Sequence, residues 1–403
     1  MKNIVVVGAG FAGLWGAVGA ARKLDELGIG TDEVGITVIN RDSWHGLRVR
    51  NYEADLSAVR VPLAEVLDPI GVGLVEGEAG AIDLAQKCIA VETAGGPIML
   101  DYDGLVLAAG SQLHRPDIPG LRQYGFSIDT YAEAALLDGH IKQLDDAVQG
   151  PGARTVLIIG AGLTGIEAAC EIPARLDAAG IGDGRVILAD SGRHIGSTMG
   201  AEARTVIEKA TAELGIECRT CIEVAALDGN GVTLAGGERI EAGTVVWTAG
   251  MRANPMTGKL PGTRDRLGRV EVNEFMRLDG LEGVFVAGDM ARAKVDGQHT
   301  SVMSCQHGRP MGRFAGHNVA CAVLGQEPLA LDIDYYVTCL DLGPWGAVLT
   351  RGWERKVVAE GADAKEIKST INCQRIYPPR SGNRREILDA GAPVIQAPPQ
   401  PTG

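Results

Sequence analysis

Two glycine-rich stretches have the residue types and the spacing of a nucleotide-binding loop. The first has its glycines at Gly8, Gly10 and Gly13, and the second at Gly160, Gly162 and Gly165. Each follows four apolar residues and opens an alanine-rich segment, which predicts a buried strand, a tight turn and a helix. The unpaired N–H groups and the positive dipole at the start of such a helix favour a bound pyrophosphate. One such loop is a weak signal, but two in this context predict two dinucleotides in one chain.

The strand that follows each loop ends in a residue that can bind a ribose. Dinucleotide sites often place an acid there, because its carboxylate accepts hydrogen bonds from the ribose hydroxyls. In the second unit that residue is Asp190. In the first unit it is Asn40, followed by Arg41, and an amide can also bond to a ribose. We therefore expect each loop to belong to a complete nucleotide site.

The size and the charge of the chain exclude several classes of partner. Its 403 residues are enough for two or three domains, and its net charge of −13 argues against nucleic acid. No apolar run approaches the roughly 20 residues of a membrane helix. The first predicted strand starts at Lys2, which leaves no room for a signal peptide. We expect a cytoplasmic, soluble or at most peripheral protein whose eight cysteines are reduced.

The two loops head two similar segments, so the sequence predicts an α/β fold with a repeated unit. Crossings rich in proline and glycine near residues 116–120 and 251–261 separate the units. The predicted divisions are a first domain of residues 1–118 and 253–325, an inserted domain of residues 119–252, and a C-terminal α+β segment of residues 326–390. In that segment we expect a hairpin over 335–342 and 346–350 and a helix over 363–375. The proline-rich tail, residues 391–403, is expected to be disordered.

Three further signatures complete the pattern. Predicted buried strands end at Ala109-Gly110, at Ala249-Gly250 and at Gly288-Asp289. With the two loops, and in this order, they resemble the flavoproteins with two dinucleotide-binding domains, the pyridine nucleotide–disulfide oxidoreductase superfamily. The closest resemblance is to the type II NADH dehydrogenases, and it covers about residues 1–325. It implies two Rossmann-like domains, a discontinuous first domain that holds FAD and an inserted domain that holds NADH.

The resemblance also implies which residues contact the two cofactors. For FAD these are Gly8, Gly10, Phe11, Ala12, Gly13, Asn40, Arg41, His45, Ala79, Ala109, Gly110, Gly288 and Asp289. For NADH they are Gly160, Gly162, Thr164, Gly165, Asp190, Ala249 and Gly250. The carboxylate of Asp190 would repel a 2′-phosphate, which favours NADH over NADPH, whereas Arg193 keeps NADPH open.

Three residues are expected near the reacting ends of the cofactors. Glu167 matches the Gly-x-Glu-x-Ala pattern of the family, where nicotinamide meets flavin, although the helix dipole alone would favour a glutamate there. Gln306 fits the first glutamine of the motif that lies beside the quinone in type II NADH dehydrogenases. The second glutamine of that motif is replaced by Pro310 or Met311. His307 is either a surface or capping residue or a proton donor to the acceptor.

The C-terminal segment departs most from the resemblance. The membrane-binding amphipathic helices of the family are not evident, and basic residues between 351 and 385 outnumber the nearby acids. Such a segment can bind an acidic protein partner, touch an anionic membrane surface or form a solvated face. The expected substrates are NADH and a quinone or another small electron acceptor. The expected location is cytoplasmic, or peripheral at the inner face of the membrane.

The positions of the cysteines limit the redox and metal chemistry that is expected of this chain. Residues 40–66 contain none, whereas disulfide reductases of the superfamily carry a redox-active pair there, so thiol–disulfide chemistry at the flavin is not expected. The Cys218-x-x-Cys221 pair lies in a predicted strand without a second pair to complete a zinc site, and no metal is expected. The resemblance therefore implies an FAD-dependent NADH dehydrogenase. Three alternatives remain, namely a soluble reductase of the ferredoxin-reductase type, a sulfide:quinone oxidoreductase-like enzyme and a flavin-based redox-sensing protein.

Overall fold

The structure is a computed structural model, and it describes residues 1–144, 150 and 152–397. Two five-stranded parallel sheets form its centre. In spatial order the first contains Val284–Val286, Gly104–Leu107, Lys2–Val7, Val34–Asn40 and Gly73–Glu76, and the second contains Gly125–Phe126, Thr244–Trp247, Thr155–Ile159, Arg185–Ala189 and Glu217–Arg219. The central strands are buried on both faces, which explains their continuous apolar runs. The predicted α/β fold with two Rossmann-like sheets, the first interrupted by the second, is confirmed.

The helices of the described residues connect these strands and cover the sheets. In chain order they are α1 (Phe11–Glu26), α2 (Ala64–Leu67), α3 (Leu121–Tyr124), α4 (Tyr131–Lys142), α5 (Leu163–Ala178), α6 (Ala201–Glu213), α7 (Cys305–Leu324), α8 (Gly361–Thr370) and α9 (Arg384–Ala390). Helix α8 continues into a π-helical turn, Ile371–Arg375. Helices α1 and α5 start directly after the middle glycines of the two loops, as the sequence predicts.

Smaller sheets flank the two five-stranded sheets. Three-stranded antiparallel sheets are formed by Glu78–Asp83, Cys88–Thr93 and Gly96–Asp101, by Val224–Asp228, Gly231–Leu234 and Arg239–Glu241, and by Val337–Asp341, Ala347–Arg351 and Lys356–Glu360. Two-stranded pairs join Trp44–Gly46 to Arg60–Pro62, Ser111–Leu113 to Met251–Ala253, and Val270–Glu271 to Ala291–Arg292. The second of these pairs ties the outgoing and returning connections of the inserted domain together. The predicted C-terminal hairpin is present and gains a third strand.

Helices α1 and α7 pack with their backbones in contact. A Cβ atom on Gly312 would lie 2.1 Å from the carbonyl oxygen of Ala12, and one on Gly316 would lie 2.0 Å from that of Gly16. Only glycine permits so close an approach. This crossing places the first turns of α7 beside the first glycine loop.

Part of the C-terminal tail, which the sequence analysis predicts to be disordered, has defined contacts in the structure. Helix α9, which the sequence analysis did not predict, leads into Gly391, whose Cβ position lies 2.8 Å from the Val18 side chain of α1. Residues 391–397 then follow the protein surface. Tyr335 and Arg375 donate hydrogen bonds to tail carbonyl groups, and Ile395 packs against the core. Composition alone could not show these contacts, and residues 398–403 of the tail lie outside the described residues.

Candidate functional site

The two glycine loops have the same construction. Gly8 and Gly160 have φ values of +92° and +109°, which L side chains rarely adopt. Gly13 and Gly165 approach the carbonyl oxygens of those two residues so closely that a Cβ would lie 1.8 Å away in both loops. Four of the six predicted glycines are therefore required by the turn itself.

The remaining two glycines leave space for a ligand. A Cβ on Gly10 or on Gly162 would meet nothing within 4 Å. Both residues are the N-caps of long helices, and neither helix has a side-chain cap on its first N–H groups. Unpaired N–H groups at a helix N-terminus, with open space before them, fit a diphosphate. Each domain thus contains one cradle that is suited to a dinucleotide.

The residues predicted to bind ribose hold these loops in shape. The Asn40 Oδ1 atom accepts a hydrogen bond from the N–H of Ala9 at 3.0 Å. In the same position of the second unit, the Asp190 carboxylate accepts from the N–H of Ala161 at 2.6 Å and from that of Gly192 at 2.7 Å. The ribose role of both residues stays a prediction, and the structure adds a bracing role.

The first helical residues after each glycine loop line one cavity of about 420 Å³, Phe11 and Ala12 after the first loop and Leu163 and Thr164 after the second. Of the predicted residues, its lining includes Gly10, Phe11, Ala12, Gly110, Thr164, Glu167, Gly288, Asp289 and Gln306. The lining does not include Gly8, Gly13, Asn40, Arg41, His45, Ala79, Ala109, Gly160, Gly162, Gly165, Asp190, Ala249, Gly250 or His307. Of the three residues expected near the reacting ends, the structure places Glu167 and Gln306 in the lining of one cavity and His307 outside it.

His45 is one of the residues that the structure places behind the loop. Its side chain is completely buried, its Nδ1 lies 2.7 Å from the carbonyl oxygen of Ala9, and its ring meets Phe11 edge-on. Burial lowers the pKa of His45 to about 4, so the ring is neutral at pH 7. In this structure His45 supports the loop from its protein side.

Asp289 faces the cavity at the end of the strand Val284–Val286. Its Oδ2 atom accepts a hydrogen bond from the Ser111 hydroxyl at 2.6 Å. Burial raises the pKa of Asp289, and the bond from Ser111 acts against that rise. Gly288 before it has a φ of +67°, and its Cβ position lies 2.7 Å from the Ala12 methyl group. The Gly-Asp pair thus sets a carboxylate next to the first cradle.

Glu167 belongs to a buried ion pair that the sequence analysis did not predict. Its Oε1 atom accepts from the Lys368 ammonium at 2.7 Å and from the N–H of Asp341 at 3.1 Å. Lys368 also donates to the carbonyl oxygen of Cys339 at 3.1 Å. Burial lowers the pKa of Lys368, but pairing with Glu167 outweighs it and raises the pKa overall. Burial also raises the pKa of Glu167, and we hold the pair ionised at neutral pH because each charge has further hydrogen bonds.

Gln306 presents an unused donor in the cavity wall. Its Oε1 atom accepts a bond from the N–H of Val337 at 3.4 Å. Its Nε2 atom is buried and has no partner among the described residues. Because an unpartnered buried donor is costly, this amide group is suited to a carbonyl oxygen of a bound molecule.

His307 does not line the cavity that Gln306 lines. Successive residues of a helix point about 100° apart, so His307 lies on a different face of α7 from Gln306. Its ring is completely buried beside Tyr336 and Trp353, and its Nδ1 accepts from the N–H of Val302 at 2.9 Å. Burial lowers the pKa of His307 to about 4. The structure thus contradicts a surface position for His307, and its proton-donating role stays a prediction.

All eight cysteines lie in the described part of the chain and are free thiols. The sulfide:quinone oxidoreductase-like alternative needs cysteines beside the flavin, and Cys305 and Cys339 line the cavity. Burial raises the pKa of both, and that of Cys339 to about 12. Both therefore remain protonated at neutral pH and are poor nucleophiles.

The basic C-terminal segment is largely neutralised within the chain. Ion pairs to acids of the same chain are formed by Lys356, Lys365, Lys368, Arg380, Arg384 and Arg385. This arrangement favours the solvated-face interpretation of the segment. Among the described residues, no helix has the length and apolar character to cross a bilayer.

Comparison with known proteins shows which protein family has this architecture. Residues 2–312 match the family model described as pyridine nucleotide-disulphide oxidoreductase. An NADH dehydrogenase-like protein of Mycobacterium tuberculosis is 51% identical over 403 residues, covering 99% of this chain and 100% of that protein. The type II NADH:quinone oxidoreductase Ndh of the same species is 29% identical over 333 residues, covering 72% of this chain and 67% of that protein. The structure of NDH2 from Plasmodium falciparum shares the fold, with a TM-score of 0.75, 11% identity and 97% of each chain covered.

The matched region contains both glycine loops, the Gly288-Asp289 pair and the first turns of α7. The predicted class of enzyme, an oxidoreductase that pairs FAD with NADH, is confirmed at the level of the family. This chain belongs to the pyridine nucleotide-disulphide oxidoreductase family.

Proposed function

We propose that this protein is an FAD-dependent NADH dehydrogenase that delivers electrons to a quinone. The observation that carries the proposal is one cavity lined by the first residues of both helices that follow the glycine loops. Two dinucleotides bound at those cradles would extend toward each other there, as electron transfer between them requires. The similarity to an NADH dehydrogenase-like protein and, more distantly, to a type II NADH:quinone oxidoreductase supports the same function.

The residues on the page fit the two cofactors. The loop at Gly10, with Asp289, would hold FAD, and the loop at Gly162, with Asp190, would hold NADH. Bound FAD supplies the redox chemistry, because it can accept a hydride from NADH and give two electrons to an acceptor. In the overall reaction NADH, one proton and a quinone become NAD⁺ and a quinol, so electrons and protons balance.

The chain's own contribution is to position the reactants. The Glu167–Lys368 pair fixes two opposite charges in the cavity wall beside the second cradle. The free amide group of Gln306 can donate to a quinone carbonyl, which holds that oxygen in place and stabilises the negative charge it gains. The basic residues of the C-terminal segment are mostly paired with acids, which leaves little free positive charge to bind an anionic membrane.

A substitution at Gln306 tests this assignment by separating the two half-reactions. In Gln306→Ala we expect reduction of the bound flavin by NADH at the wild-type rate and reoxidation by menadione slowed about tenfold or more, since one donor hydrogen bond to a charged oxygen is lost. Gln298→Ala, at an exposed loop position outside the cavity, is the matched control. Equal loss in both half-reactions would contradict an acceptor-side role.

The alternative functions make different predictions in the same stopped-flow experiment. A reductase for a protein acceptor would be reoxidised by an iron–sulfur protein and by no quinone. A redox-sensing protein would keep its flavin reduced with every acceptor. The protonated state of Cys305 and Cys339 argues against sulfide as the electron donor.

A further inference from the structure

Two buried arginines on α7 lack an anionic partner. Arg309 and Arg313 are only 8% and 3% exposed, and both line the cavity. Neither forms a hydrogen bond or an ion pair with the described residues, and the Nε atom of each is sealed from solvent without a partner. Burying an uncompensated charge is costly, so the two side chains indicate a place for a negative group.

Their surroundings hold the charges without neutralising them. Both guanidinium groups lie over the ring of Trp15, with Cζ atoms 5.2 Å and 4.3 Å from its centroid. A cation–π contact stabilises a cation but leaves its charge in place. The other titratable groups that interact with them are the Cys305 thiol, the Tyr335 phenol and the Arg375 guanidinium, with no carboxylate among them.

The other buried arginines of the described chain have acidic partners. Each pairs with a nearby acid, in the pairs Arg50–Glu53, Arg175–Asp138 and Arg269–Asp265. The chain therefore supplies counterions where an arginine is only structural. The missing acid at Arg309 and Arg313 points to a ligand that brings its own negative charge.

We propose that Arg309 and Arg313 form an anion subsite and that the quinone accepted by this enzyme carries an acid group, such as a carboxylate. The inference rests on the proposed function and refines its substrate class. Arg309 follows Gln306 by three residues, so the two side chains are neighbours on one helix surface. One molecule can therefore place a carbonyl at Gln306 and a carboxylate at the arginines. Guanidinium groups bind carboxylates through paired, charge-assisted hydrogen bonds.

The pyrophosphates of FAD and NADH are the competing source of negative charge. Each already has a cradle of its own, at Gly10 and at Gly162. The arginines lie one and two turns into α7 and interact with Tyr335, whose hydroxyl donates to the carbonyl oxygen of Gln396 in the tail. This location favours the acceptor, and the experiment includes flavin content to separate the two sources.

The test compares an acid and its ester on the FAD-loaded enzyme. The probes are 3-(1,4-naphthoquinon-2-yl)propanoate and its methyl ester, whose quinone rings are the same. In the wild type we expect a KM at least tenfold lower for the acid, with a difference that shrinks as salt is raised. Equal KM values for acid and ester would overturn the proposal.

Variants then assign the effect to the two arginines. Arg313→Met should raise the KM for the acid at least tenfold and leave that for the ester within twofold, whereas Arg313→Lys should be intermediate because it keeps the charge. Arg351→Met, at an exposed position outside the cavity, should change neither value. Equal changes for both probes, or loss of FAD from a folded Arg313→Met protein, would contradict an acceptor subsite.

A binding measurement distinguishes failure of this inference from failure of the proposed function. Titration of the oxidised FAD-loaded enzyme with 2-naphthoate, which cannot be reduced, needs no turnover. One outcome is that 2-naphthoate binds, that Arg313→Met weakens this binding and that no quinone is reduced. In that case the anion subsite stands and the assignment of a quinone as acceptor is wrong. If quinones are reduced but 2-naphthoate binds equally well to the wild type and to Arg313→Met, the subsite is wrong and the proposed function stands.

Discussion

Replacing Lys368 with methionine tests the buried ion pair at the centre of the candidate site. Lys368 and Glu167 come from helices far apart in the chain and meet at 2.7 Å, each almost fully buried. Methionine keeps most of the side-chain length and removes the charge. Glu167 would then keep only the hydrogen bond from the N–H of Asp341.

The expected cost follows from the burial of the remaining carboxylate. Removing one partner of a buried pair typically destabilises a protein by about 3–5 kcal/mol. Loss of the charge-assisted bond from Lys368 raises the pKa of Glu167 further, in the direction in which burial already shifts it. A carboxyl group whose pKa is raised on folding stabilises the fold at low pH and loses that contribution as pH rises through the folded-state pKa. The loss in Lys368→Met should therefore be larger at pH 8 than at pH 5.

Urea unfolding in excess FAD at these two pH values provides the assay. In the double variant Lys368→Met/Glu167→Gln no charge is left unpaired, so we expect the pH dependence of the loss to disappear. Lys356→Met is the matched control, since Lys356 pairs with Glu354 at 3.3 Å on the exposed surface, where such pairs contribute little. A loss in Lys368→Met that is absent, or equal at both pH values, would refute a buried ionised pair.

Further predictions concern the cradles and their flanking acids. Gly13→Ala should lower the unfolding temperature, because its methyl would clash with the loop, whereas Gly10→Ala should fold but retain less flavin; equal behaviour would contradict the assigned roles. Asp190→Asn keeps the loop bond, as Asn40 does in the first unit, but loses the charge, so the KM ratio of NADPH to NADH should fall. Asp289→Ala should be purified largely without flavin, as the ratio of flavin to protein absorbance shows, and full occupancy would remove Asp289 from the site.

The parts of the structure that the sequence revealed are those encoded by neighbouring residues. A strand, a glycine turn and a helix follow one another within a few residues, so both cradles and their order could be predicted. The strand ends at Gly110 and Gly288 were visible for the same reason. The unused amide of Gln306 also lies where its place in the family pattern suggested, in the cavity wall.

What the sequence did not reveal depends on distant contacts or on the direction of single side chains. Glu167 and Lys368 are 201 residues apart, and nothing local marks them as partners. His307 was assigned to the reacting side from its position next to Gln306, but one step along a helix turns its ring into the protein interior. Nothing in the sequence distinguishes Arg309 and Arg313 from other helix residues, because only the structure shows that they lack acidic partners.

The absorbance of the bound flavin during two successive anaerobic additions tests the central claim most directly. The purified protein should be yellow, lose its colour when NADH is added, and regain it when a naphthoquinone follows. A protein that binds no flavin, or whose flavin NADH does not bleach, would contradict the claim that two cradles bring two cofactors together in one cavity.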